Sequence, residues 1–105
     1  MKILPDECLP RKLKRELAGH VVFTVPEMGW AGIKNGKLLQ LMESGFEAFI
    51  TVDSNMQYQQ DLKSLQMRFL VIKAHENTLD ALLPLVPEIL LALDTIKPGQ
   101  VISIS

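Results

Sequence analysis

Scarcity is the first feature of this 105-residue chain: it has one cysteine, two histidines, one tryptophan and one tyrosine. Cys8 alone excludes an internal disulfide, and with only His20 and His75 beside it a structural zinc site of the usual ligand spacing is excluded as well. Both absences fit a reducing compartment, and a cytoplasmic protein is the expectation. Long apolar runs are missing too. The richest segment, Leu79 to Leu93, is cut by Pro84 and Pro87 and carries Asp80 and Glu88, so it falls short of the roughly 20 apolar residues that span a bilayer. The opening MKILPDECLPRKLKRE reaches an acid at its sixth residue, which predicts no signal peptide. An excess of one charge is also absent, since the net charge is −1; a basic nucleic-acid arm and an acidic tail are both excluded. The charges are nevertheless unevenly spread. Residues 1–37 hold seven Lys/Arg against four Asp/Glu and residues 38–105 hold four against eight, so the two parts carry +3 and −4.

What is present is the composition of a globular domain, 48% apolar and 22% charged, at a length typical of a single domain spanning residues 1–105. Lys2 to Leu4 is a short apolar run, and after Pro5 and an acidic pair, Pro10 opens a helix with Leu9, Leu13 and Leu17 spaced by four. HVVFTV, from His20 to Val25, reads as a buried strand closed by Pro26. The glycine-punctuated PEMGWAGIKNG is aperiodic and reads as a loop. Leu38, Leu39, Leu41 and Met42 form a helical face that Gly45 stops; FEAFITV is a third strand, a short helix runs from Tyr58 to Leu65, and RFLVIKA is a fourth strand. Asn77 is expected to cap a leucine-rich helix that breaks at Pro84 and restarts at Pro87, before a last strand, VISIS. Strands alternating with helices predict an α/β protein, a three-layer α/β/α sandwich around a mostly parallel five-stranded sheet, because parallel neighbours need a crossover.

In such sheets ligands bind beyond the carboxyl ends of the strands. Asp6 and Glu7 follow strand one and Asp53 follows strand three, so carboxylates from two strands are sent to one edge, and right-handed crossovers favour their convergence. Gathered carboxylates repel unless a cation neutralises them, and hard oxygen donors suit Mg²⁺ or Mn²⁺ better than zinc. The plainer reading of the same positions is a helix cap at Asp6 and a turn residue at Asp53.

ILPDECLPRKL, GHVVFTVPEMGWAG and the strand exit FITVDSNM together resemble the small stand-alone PIN-like proteins, relatives of the nuclease toxins of bacterial toxin–antitoxin pairs. The likeness runs from Met1 to about Ile104. It implies a PIN-like sheet of order 3-2-1-4-5, cleavage of RNA phosphodiesters with Mg²⁺ or Mn²⁺, and an antitoxin protein as a partner. On this resemblance Asp6 matches the first-strand metal carboxylate, Glu7 the acid that follows it, and Asp53 the acid at the exit of strand three. Two positions depart from the pattern: Asn35 stands where the second helix often begins with an acid, and Asn55 completes Asp53-Ser54-Asn55 where Asp-x-Asp is usual. An Asn carbonyl can ligate Mg²⁺ without bringing charge, so both are expected as weaker metal ligands. Pro5 also replaces an apolar strand residue, which bears on how Asp6 is aimed.

Arg11, Lys12, Lys14 and Arg15 crowd the segment beside the acidic pair and suit phosphates flanking a scissile bond; alternatively they are the solvated face opposite Leu9, Leu13 and Leu17. Lys34 and Lys37 flank Asn35 as a possible substrate grip. Trp30 and Tyr58 can stack on unpaired bases, or Trp30 can plug the core. Cys8 reads as a packed thiol and His20 as structural. The apolar girth of Leu79 to Leu93 points to a homodimer or a docked partner helix, or to a helix embedded against the sheet. The leading functional expectation is a metal-dependent ribonuclease. Its alternatives are a PIN-like interaction module without catalysis and a phosphorelay receiver. The receiver requires a Ser or Thr after strand four, where Ala74 and His75 stand, and a Lys after strand five, which the chain does not show.

Overall fold

The computed structural model describes residues 1–53 and 66–105. Its centre is a five-stranded parallel sheet of β1 (Lys2–Pro5), β2 (Val21–Val22), β3 (Ala48–Thr51), β4 (Arg68–Ile72) and β5 (Val101–Ile104), in the order β2-β1-β3-β4-β5. This differs from the expected 3-2-1-4-5: β3 lies against β1 rather than beyond β2. Burial accounts for the difference. All four residues of β3 are buried, so β3 suits an interior position, whereas the expected order would have left it at the edge. β2 has only two residues and leaves Val21 57% exposed, which suits an edge.

The predicted strand His20 to Val25 is thus cut short. Thr24 and Glu27 stop it with a reciprocal cap: the Thr24 N–H donates to Glu27 Oε1 (2.9 Å) and the Glu27 N–H to Thr24 Oγ1 (3.4 Å), the Thr-x-x-Glu arrangement that opens a helical turn. A 3-10 turn, Pro26–Met28, follows and ends at Gly29, whose φ of 76° a side chain rarely tolerates.

Each face of the sheet has its own core. Ile3, Val22, Ala48, Ile50, Leu70, Ile72 and Ile104 face Leu9, Leu13 and Leu17 together with the C-terminal helices. Leu4, Phe49 and Phe69 face α1 (Asn35–Glu43) through Leu38, Leu39 and Met42, and the Phe49 and Phe69 rings sit 5.4 Å apart in a tilted pair. The segment after Pro10 is a 3-10 helix, Arg11–Glu16, rather than an α-helix. α2 (Leu79–Leu82), a 3-10 turn at Leu83–Leu85 and α3 (Val86–Thr95) bend at Pro84 and restart with Pro87 near the helix start, as the prolines predict. The cap of α2 is Thr78, whose Oγ1 accepts from the Ala81 N–H (3.3 Å), and not Asn77.

The crossovers are not all of one hand. The β1-to-β2 and β4-to-β5 connections run in opposite directions along the sheet yet cover the same face, so their hands are opposite; a uniformly wound sheet would have put α3 on the α1 side. The sheet also takes up most of the leucine-rich segment, since Leu82, Val86, Ile89 and Leu93 are buried, while Leu83 and Leu91 are exposed. No helix among the described residues is long and apolar enough to cross a membrane.

Phe49→Ala removes a fully buried ring between β3 and α1 and is expected to cost about 3–5 kcal/mol in urea unfolding. Leu91→Ala, at 66% exposure, is expected to change stability by less than about 0.5 kcal/mol.

Candidate functional site

Pairing β1 with β3 puts the reversal of winding between them, because the chain leaves β1 toward one side for β2 and returns past it to reach β3. The carboxyl ends of those two strands therefore border the crevice where a doubly wound sheet takes its ligand. Asp6 and Asp53 follow these ends. The Asp6 N–H donates to the Ile50 carbonyl (2.8 Å), extending the ladder past Pro5 and fixing the backbone from which the carboxylate projects. Thr51, fully buried as the last residue of β3, joins the two acids: its hydroxyl donates to Asp6 Oδ2 (2.7 Å) and its Oγ1 accepts from the Asp53 N–H (3.0 Å). Sequence reasoning passed over Thr51. Its signal was a lone hydroxyl ending an otherwise apolar strand two residues before an acid.

Glu7 turns elsewhere. Its carboxylate accepts from the Gly32 N–H (3.3 and 3.4 Å) and so pins the loop after β2 across the exit of β1. Cys8 is exposed rather than packed, yet partial desolvation raises its thiol pKa above the ordinary 9.0, and the neighbouring Asp6 carboxylate raises it further. A thiol held protonated is a poor nucleophile. From beyond β4, the Asn77 side-chain amide donates to the Cys8 carbonyl (3.0 Å), tying the two strand exits together.

The other predicted residues are distributed around this centre. Arg11 and Lys12 are exposed on the 3-10 helix that leaves it, and Lys34 is exposed just before α1. Trp30 is half-buried and packs edge-to-face on Phe46 at 5.9 Å, against the α1-side core. Asn55, Tyr58 and the side chain of Asn35 lie outside the described residues, as does the predicted helix from Tyr58 to Leu65. Among the described residues no three His, Cys, Asp or Glu side chains gather as a metal cluster. The residue types still fit Mg²⁺ or Mn²⁺: Asp6 and Asp53 follow two adjoining strands, and Mg²⁺ is commonly held by one or two carboxylates with waters and substrate phosphate completing its shell.

Lys14, the most enclosed cation of the basic segment, is already paired. Its Nζ lies 2.9 Å from both Glu27 oxygens and 5.8 Å from the Phe23 ring centroid. The Thr24 N–H, Lys14 and the Thr24 hydroxyl hold the Glu27 carboxyl down at about 2, from an ordinary 4.5.

Searches against protein-family models, curated proteins and solved structures find no match.

Two titrations check this geometry. The alkylation rate of Cys8 should rise with a midpoint above pH 9.0, and Asp6→Asn, by removing the adjacent negative charge, should move that midpoint downward. Glu27, with its pKa lowered in the fold, stabilises the protein above about pH 4.5 and loses that contribution as the pH falls toward 2. Acid unfolding of Glu27→Gln should accordingly be less steep across that window than that of the wild type.

Proposed function

We propose that the β1–β3 crevice is a divalent-metal site for phosphodiester hydrolysis, and that the protein is a PIN-like ribonuclease. The observation that carries this reading is the hydrogen-bonded unit Asp6–Thr51–Asp53 at the point where the winding reverses. Asp6 and Asp53 would hold the ion, with Asn35 and Asn55 as uncharged oxygen donors. Bound there, Mg²⁺ or Mn²⁺ would supply a nucleophilic water at neutral pH and neutralise charge on the phosphoryl oxygen. Thr51 fixes the rotamer of Asp6 by its 2.7 Å bond to Oδ2, which keeps the carboxylate poised before an ion arrives. Glu7, committed to Gly32, orders the loop that carries Trp30, whose ring packs on Phe46 ahead of β3. RNA as the substrate rests on the sequence resemblance.

The bond from Gly32 to Glu7 also favours a second reading, an interaction module that keeps the fold without catalysis, because the second acid of the pair is spent on backbone. The strand order β2-β1-β3-β4-β5 is that of receivers. Ala74 after β4 and the reversed hand of the last crossover both count against a phosphoacceptor role.

Cleavage of a labelled single-stranded RNA, assayed with Mn²⁺ and with EDTA, separates nuclease from silent module. Asp53→Asn and Asp6→Asn should each lower the rate by about 100-fold or more, and Thr51→Val by about 10–100-fold, the range for residues that orient metal ligands. Metal-independent cleavage, or a rate untouched by Asp53→Asn, would eliminate the nuclease reading.

A further inference from the structure

The basic segment has a geometry of its own. On a 3-10 helix, residues three apart eclipse. Within Arg11–Glu16, Arg11 therefore stacks with Lys14, Lys12 with Arg15, and Leu13, the buried member, with Glu16. The cations form two adjoining ridges beside a third made of buried Leu13 and half-exposed Glu16, an arrangement that α-helical spacing would not give. Two surface hollows flank these ridges and share Arg11 and Arg15. One, of about 500 Å³, is lined by Pro10, Arg11, Lys12 and Arg15. The other, of about 480 Å³, is lined by Arg11, Lys14, Arg15, Thr24 and Glu27.

These hollows differ in charge. In the second, Glu27 pairs with Lys14 at 2.9 Å and is anchored by the Thr24 cap. Its carboxylate therefore stays ionised throughout the neutral range, cancelling one cation and repelling an incoming anion. In the first, every charged lining group is a cation, and among the described residues no carboxylate lies within ion-pair distance of Arg11, Lys12 or Arg15. Arg11 to Arg15 spans about 8 Å along the helix axis at roughly 2 Å per residue, so the three cations are strung out in a row rather than gathered on one point. Such a row meets more than one phosphate, which selects a polyanion over a single free phosphate. It begins at Arg11, six residues after Pro5, the end of β1.

We infer that the hollow of Pro10, Arg11, Lys12 and Arg15 seats consecutive backbone phosphates of an RNA strand, and that Glu27 bars the adjoining hollow from doing so. This rests on the ribonuclease reading for the choice of RNA. Arginine forks give bidentate phosphate contacts and Lys12 a point charge. The contacts carry no base information, so binding is sequence-tolerant and salt-dependent.

The test is fluorescence anisotropy of a labelled 12-nucleotide RNA in EDTA between 50 and 200 mM salt, so that binding is read without cleavage. Three phosphate contacts predict a slope of log K against log salt of about −2 for a single strand. Arg11→Ala with Arg15→Ala should weaken binding at least about tenfold and make the slope shallower by about 1.4. Glu27→Gln, which releases Lys14, should tighten binding severalfold and steepen the slope by up to about 0.7. Lys12→Glu gives a single charge reversal at an exposed position and should weaken binding more than Lys12→Ala. Unchanged affinity in the double variant, weaker binding in Glu27→Gln, or binding to anionic vesicles but not to RNA would overturn the inference. Binding that follows the predicted pattern in a protein that never cleaves RNA would leave the phosphate site standing and remove only the nuclease.

Discussion

Direct pairing of β1 with β3 is the constraint on which the rest of the molecule depends. β3 is buried along its whole length and suits an interior position, and the two-residue β2 is displaced to the margin. From that pairing follow the reversal of winding between β1 and β3, the adjacency of their exits, and the reach of Thr51 to Asp6. Were β3 placed beyond β2, Asp6 and Asp53 would be separated by a whole strand and Thr51 would have no carboxylate within reach. The site is thus a product of sheet order more than of any local motif.

Thr51 also couples stability to side-chain orientation at this edge. A buried hydroxyl without a partner costs about 1–3 kcal/mol, and here it is satisfied by donating to one acid and accepting from the backbone of the next. The same two bonds that make its burial tolerable set the orientation of Asp6. Glu7 performs a related service for the loop after β2, holding it at the exit of β1 through the Gly32 N–H. Charge is sorted along the chain in the same spirit: Glu27 neutralises Lys14, while Arg11, Lys12 and Arg15 keep their charge facing solvent.

Much of the fold was legible in the sequence, because apolar periodicity and strand-ending turns report burial directly. The sheet, its parallel sense, the helix at Leu38 to Met42 and the break at Pro84 all follow from such local signals. Strand order does not, since it is decided by competition between strands for central positions, and the brevity of β2 came from the Thr24–Glu27 cap hidden inside HVVFTVPE. The 3-10 form of the basic segment was hidden as well: Leu9, Leu13 and Leu17 are spaced as for an α-helix, but Leu9 and Leu17 lie just outside the helical residues. At the site, Asp6 and Asp53 were readable from their positions after strands. Thr51 was not, because a threonine in a strand is ordinarily read as a β-former, and the bond from the Gly32 backbone to Glu7, 25 residues away, leaves no local signal in the sequence.

Anomalous diffraction from crystals soaked in Mn²⁺ tests the central claim most directly. The account predicts a single strong peak in the crevice between Asp6 and Asp53, with the Thr51 hydroxyl still on Asp6 and the peak lost in Asp53→Asn. An empty crevice at Mn²⁺ concentrations that saturate ordinary carboxylate sites, or a basic side chain lying between the two acids, would contradict it.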